Sequence, residues 1–220
     1  MKILIFVLAI FSCTLVKAQE FANVKKYEQA NNTIIQSKTK ISTIFMGDSI
    51  TEFWSPNSPD FFKKHNIINR GISGQTTSQM LLRFRQDVIN LHPQQVIILA
   101  GINDIAENTG LISITATFGN IVSMVELAQA NNIKVVISSV LPAYDFNWRK
   151  GMQPANKVIA LNKLLRDYAQ KNKIRYIDYF SLMKDSRNGL DPKYSNDEVH
   201  PNLLGYHTMQ KIILPFLKKK

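Results

Sequence analysis

Four largely apolar runs punctuate the chain, at 41–46, 95–100, 134–140 and 174–177, with a shorter one at 66–69. None alternates apolar with polar residues as a strand with one wet face would, so each reads as a strand buried on both sides. Between them, apolar residues recur at helical spacing. Met80, Phe84, Val88 and Leu91 follow a Thr76-Thr77-Ser78 cap. Phe118, Ile121, Val122, Val125 and Ala128 mark a second helix, and Val158, Leu161, Leu165 and Tyr168 a third. A last helix is predicted over about 203–217, and a helix and loop over 20–40. Pro56 and Pro59 predict an early stop for a helix begun near Ile50. Residues 141–154 read as irregular, and 178–201 as a loop rich in Asp, Gly, Pro and Ser. Buried strands alternating with amphipathic helices predict an α/β chain, a three-layer α/β/α sandwich around a five-stranded parallel sheet. No internal repeat, low-complexity tract or linker divides it, and 220 residues suit one domain.

The first eighteen residues stand apart from that pattern. Lys2, the apolar run 3–11 and the small residue of Val16-Lys17-Ala18 have the order of a secretory signal peptide. The expectation is a leader at 1–18, a mature domain at 19–220, and export to the periplasm or beyond. The apolar run is too short for a transmembrane helix, and stable membrane insertion of the mature chain is not expected. Cys13 offers a second route, a lipoprotein signal with a lipidated cysteine. It is the only cysteine, so the mature chain would hold no disulfide and no thiolate-bound metal. Without Lys2 and Lys17 the formal net charge falls from +11 to +9, and Lys218, Lys219 and Lys220 carry three of those charges. There is no arginine-rich block or aromatic RNA-binding motif, so acidic glycans or anionic surfaces suit the chain better than nucleic acid.

In a parallel sheet, ligands bind beyond the carboxyl ends of the strands. Polar and glycine residues collect at those ends. Gly47-Asp48-Ser49 follows the first strand, Gly71-Ile72-Ser73-Gly74 the second, and Gly101-Ile102-Asn103-Asp104 the third. Asp197-Glu198-Val199-His200 lies after the fifth, just before the last helix. Together they supply a hydroxyl nucleophile, backbone donors at a glycine, a side-chain amide, and an acid–base histidine with a carboxylate. Each set has a plain structural alternative. Gly47-Asp48-Ser49 makes a good turn, Gly71 and Gly74 suit another, Asn103 can cap a helix, and His200-Pro201-Asn202 can start one. Their coincidence at successive strand ends favours chemistry.

These four blocks, in this order and spacing, resemble those of the GDSL, or SGNH, hydrolases, most closely the platelet-activating-factor acetylhydrolase-like branch. Ile50 stands where the leucine of the family name would be. The resemblance covers 41 to about 209 and implies the flavodoxin-like fold of that family and a serine esterase that needs no metal or cofactor. It implies Ser49 as nucleophile, His200 as base, and Asp197 as the group that orients the imidazole. It further implies an oxyanion hole of the Ser49 and Gly74 N–H groups and the Asn103 side chain, with Asp48 and Asp104 bracing the turns. His65, His92 and His207 fall outside the blocks and read as surface or packing residues. A sugar acyltransferase, a lysophospholipase or lipase, a non-catalytic carbohydrate-binding domain and a metallohydrolase are the competing readings. The last has no clustered ligand set in the sequence to support it.

The substrate is sought in the loop after the fourth strand. Tyr144, Trp148 and Arg149 lie there, and Trp54 follows the nucleophile as a possible opposite wall. That loop can equally bury its own aromatics. With no long apolar run to hold a fatty chain, the expected substrate is a short acyl ester, an acetyl group on a carbohydrate.

Overall fold

The computed structural model describes residues 21–217. The leader at 1–18, Cys13 and Lys218 to Lys220 lie outside them. Among the described residues the helices are α1 (Glu28–Ser37), α2 (Ser49–Asn57), α3 (Pro59–His65), α4 (Thr77–Asp87), α5 (Ile102–Ile105), α6 (Ile114–Ala130), α7 (Ala155–Lys171), α8 (Tyr179–Met183) and α9 (Leu203–Ile213). The strands are β1 (Thr43–Gly47), β2 (Ile67–Gly71), β3 (Gln95–Leu99), β4 (Lys134–Ser138) and β5 (Arg175–Ile177). All pairings are parallel, in the order β2-β1-β3-β4-β5. Helix contacts sort into two layers: α1, α4, α6 and α7 pack in series on one face, and α2, α3 and α9 on the other. The chain is an α/β/α sandwich, as its pattern predicts. No helix among the described residues is long and apolar enough to cross a membrane.

Both faces of the central strands are covered, which is why their sequences are solid apolar runs. Every residue of β1 and β3 is buried. The register matters most for the site: Gly47 sits level with Gly71 on one side and Leu99 on the other. Three strands therefore end in a row, and their following turns open on the same rim. At Gly71 a Cβ would fall 2.2 Å from the Glu52 nitrogen, so only glycine lets β2 end this close to α2.

After β1 the helix does stop early, at Asn57, but Pro56 lies inside it and does not end it. In the last turn a proline forfeits one bond, to the carbonyl of Glu52, and Asn69 Nδ2 lies 3.4 Å from that oxygen. Pro59 follows that stop and opens α3, since the first turn of a helix needs no N–H. The loop expected over 178–201 also holds the short α8, capped by Asp178 accepting from the Ser181 N–H.

Candidate active site

Ser49 is the first residue of α2, and its placement follows from Asp48. That carboxylate caps the helix, Oδ1 accepting from the Ile50 N–H at 3.0 Å, and the turn leaves Ser49 at the strand-end rim. Its hydroxyl lies 2.9 Å from His200 Nε2. His200 is held by the turn before α9, which Asn202 caps through the Gly205 N–H. His200 Nδ1 lies 2.6 Å from Asp197 Oδ2, and the other carboxylate oxygen accepts the His200 N–H at 2.7 Å, the Val199 N–H at 3.0 Å and the Ser195 hydroxyl at 3.0 Å. An ionised carboxylate can only accept, so Nδ1 carries the hydrogen and Nε2 presents a lone pair to Ser49. Burial works to raise the Asp197 pKa. The hydrogen bonds from the His200 ring and from the His200 and Val199 N–H groups outweigh it and hold the carboxyl below its usual range.

Beside the hydroxyl, the loop after β2 reaches Gly74 at φ +76°, a left-handed conformation that favours glycine. Among the described residues neither the Ser49 nor the Gly74 N–H has a backbone partner. Asn103, on α5, is buried and directs Nδ2 to the Gln75 carbonyl at 3.1 Å, which leaves its second amide hydrogen unused. Asp104 ties α5 to the start of α4, accepting from the Thr77 N–H at 2.9 Å and the Thr77 hydroxyl at 2.5 Å. Burial pushes the Asp104 pKa up despite those bonds. Asp48 is more extreme: Oδ2 is buried without a partner, and desolvation pushes the pKa from 3.8 to about 7.

The cleft over these groups has a volume of about 300 Å³ and is lined by Ser49, Phe53, Ser73, Gly74, Asn103, Asn108, Trp148 and His200. A larger groove of about 460 Å³ lies at the opposite ends of β4 and β5, lined by Lys134, Lys173 and Arg175 among others, and it holds no nucleophile or base. The arrangement in the smaller cleft can activate a hydroxyl and stabilise an oxyanion beside it.

The four expected substrate residues divide. Trp148 lines the cleft, half exposed, with its ring 6.1 Å from the His200 ring and stacked on Phe146. Trp54 is not a wall of the cleft. It is buried among Phe45, Phe61, Phe62 and Tyr206. Phe53 takes its place, 5.6 Å from the His200 ring. The helix decides between them: Phe53, four residues after Ser49, shares its face, whereas Trp54 points about 140° away at ~100° per residue. Tyr144 lies outside the cleft lining, under the Arg187 guanidinium at 4.6 Å. Arg149 also lies outside it. Its guanidinium donates to the carbonyls of Ala106 and Glu107 and pairs with the Glu107 carboxylate at 3.1 Å. With Asn147 Nδ2 on the Asp197 carbonyl at 2.9 Å, it fastens the Trp148 loop to both sides of the site. Ser73 falls inside the Gly71–Gly74 block, whereas Asn108 and Phe53 had no place in any block, and of these two only Phe53 had a signal in the sequence, its i+4 spacing from Ser49. The remaining histidines are peripheral: His65 packs on Phe61, and His92 and His207 are exposed.

The sequence pattern of the GDSL-like lipase/acylhydrolase family matches residues 45–208. A GDSL-like lipase from Bacteroides thetaiotaomicron is 48% identical and superposes with a TM-score of 0.86, over 90% of this chain and 98% of that one. An acetylxylan esterase from Geobacillus stearothermophilus shares the fold at 18% identity and a TM-score of 0.64, over 83% and 98% of the two chains. A Bacillus subtilis protein, the uncharacterized lipoprotein YqeF, is 33% identical over 85 residues, 37% of this chain. The chain spans about a third (35%) of the length of that curated relative.

Proposed function

We propose, for a chain that belongs to the GDSL-like lipase/acylhydrolase family and is a carboxylic ester hydrolase, that Ser49, His200 and Asp197 form its catalytic triad. The observation that carries this is the unbroken line of short contacts, 2.9 Å from Ser49 Oγ to His200 Nε2 and 2.6 Å from Nδ1 to Asp197. As Oγ attacks the ester carbonyl carbon, Nε2 takes its proton. The carbonyl π electrons move onto oxygen, and that oxyanion accepts hydrogen bonds from the Ser49 N–H, the Gly74 N–H and Asn103 Nδ2. Collapse breaks the bond to the alcohol oxygen, which takes the proton from Nε2 and leaves an acyl-serine. Water repeats the sequence, with His200 again the base, and releases the acid. Asp197 keeps Nε2 facing the serine and stabilises the imidazolium.

The substrate class in this reading is a short-chain ester, an acetyl group on a carbohydrate. A cleft of about 300 Å³ leaves little room for a long acyl chain, and the half-exposed faces of Phe53 and Trp148 suit a sugar ring. Residues 1–18 are read as an export leader and 19–220 as the hydrolase domain, which places the enzyme outside the cytoplasm, with a glycan or small-molecule ester as its partner.

A fluorophosphonate should label the protein once, at Ser49, and leave Ser49→Ala unlabelled. Turnover of aryl esters should fall steeply beyond acyl chains of about four carbons if a small pocket limits the acyl group. Labelling at another serine overturns the nucleophile, and undiminished turnover of long-chain esters overturns the substrate class.

A further inference from the structure

Asn108 lies at the rim of the cleft, at the end of the turn that begins with Asn103. Its amide nitrogen makes two contacts at once, 2.9 Å to Asn103 Oδ1 and 3.2 Å to the Gly74 carbonyl. An amide nitrogen carries two hydrogens, and these two acceptors use both. The orientation of each amide is forced. The Gly74 carbonyl can only accept, so Asn108 must present its nitrogen. The Gln75 carbonyl can only accept, so Asn103 must present Nδ2 there and Oδ1 to Asn108. The side chain is not needed to close the turn. Backbone bonds do that, from the Asn108 N–H to the Asn103 carbonyl at 3.0 Å and from the Gly110 N–H to the Glu107 carbonyl at 3.0 Å.

We propose that Asn108 is the positioning residue of the oxyanion hole, its two amide hydrogens fixing two of the three donors that stabilise the transition state. Resting on the triad and oxyanion-hole reading above, this inference adds the group that sets the geometry. Donors stabilise an oxyanion only when they point where the charge will form, and reorganising them during reaction costs rate. With Asn108 holding Oδ1, the Asn103 amide is kept from flipping, and its free hydrogen stays toward the cleft. The same side chain pins the carbonyl of Gly74, the residue whose N–H is the second donor. From the other side Glu52 holds the preceding residue, its carboxylate accepting both the N–H and the hydroxyl of Ser73 at 2.6 Å.

The test is a double-mutant cycle read in kcat and KM on an aryl acetate, with thermal melts alongside. Asn103→Ala should lower kcat about 10²–10³-fold, as for other lost oxyanion donors. Asn108→Ala should lower kcat about three- to tenfold with KM little changed, since water at the exposed rim can replace part of the lost bond. Asn108→Asp keeps the shape but offers a carboxylate oxygen in place of the nitrogen. Facing Oδ1 it repels, or turns the Asn103 amide over and aims an acceptor at the oxyanion, so it should cost more than Asn108→Ala. Asn108→His, which restores an N–H donor, should recover part of the loss. In the Asn103→Ala background both Asn108→Ala and Asn108→Asp should cost much less than in the wild type, because their main target is gone. The same fold-loss in both backgrounds, or a loss that follows the melting temperature, overturns the positioning role. Unchanged kcat in Asn103→Ala would overturn the oxyanion-hole reading itself.

Discussion

Asp48 offers a test in which the charge of one buried group is separated from everything else around the site. Its side chain is buried, Oδ1 accepts one backbone N–H, and Oδ2 has no partner. Desolvation raises its pKa, and the nearby Asp104 carboxylate adds to the rise. The Ile50 N–H and the charge of a protonated His200 oppose it, and the balance lies at about 7 against an ordinary 3.8. A folded-state pKa above the unfolded one means that the native protein holds the proton longer. Stability from this group is therefore complete below about pH 4 and is lost as pH rises through about 7. At ~1.4 kcal/mol for each pH unit between the two values, the loss comes to about 4 kcal/mol. Asp48→Asn keeps an oxygen for Ile50 and cannot ionise, so it matches the neutral acid at every pH. Urea unfolding of both proteins at several pH values between 4 and 8 should show near-equal stability at the acid end and a growing advantage for Asp48→Asn above it. Taking the difference between the two proteins removes the opposite trends of carboxylates such as Asp197 and Glu52, whose pKa values are lowered on folding. A gap that does not change with pH would show that Asp48 is ionised throughout, and the burial argument would then be wrong.

Trp148→Ala should weaken a glycan acetate by about five- to tenfold in kcat/KM, the value of one aromatic face, while an aryl acetate changes little. Equal losses on both would refute a sugar-binding role. Behind the site, Arg83 and Asp87 form a buried pair at 2.8 Å, and Arg83 also donates to the Gln75 side chain and to the Gly47 carbonyl that ends β1. Arg83→Met should cost about 3–5 kcal/mol in urea unfolding because it leaves the buried Asp87 carboxylate without its ion-pair partner, the Asn31 amide still bonded to it at 2.7 Å, and Arg83→Met with Asp87→Leu should recover much of it. A single substitution costing under ~1 kcal/mol would show that the pair is solvated.

What could be read in the chain was whatever depends on near neighbours. Solid apolar runs mark strands that lose solvent on both faces, and the Thr76-Thr77-Ser78 cap marks the start of α4. The left-handed turn at Gly74 is likewise a local demand for a residue without Cβ. The strand-end position of each chemical group followed from the same local pattern. Reading failed where a residue's surroundings come from elsewhere. Phe53 and Trp54 are adjacent aromatics, and the spacing that puts Phe53 on the Ser49 face tells only once Ser49 is known to be the first residue of α2. Pro56 and Pro59 look like stops until their turn positions are known, and Arg149 looks like a ligand group until its carbonyl partners 42 and 43 residues away are in place. Asn108 carries no motif at all.

By itself the sequence determined the layers, the strand ends and the kinds of group available at them, because hydrophobic period and backbone conformation are set within a few residues. The tertiary structure decided which of those groups meet. Ser49 and His200 are 151 residues apart, and their hydrogen bond exists because β1, β2 and β3 stop level with one another while the turn before α9 returns over the same rim. That register is a property of all the strand pairs and helix contacts together, so no single stretch of the chain encodes it.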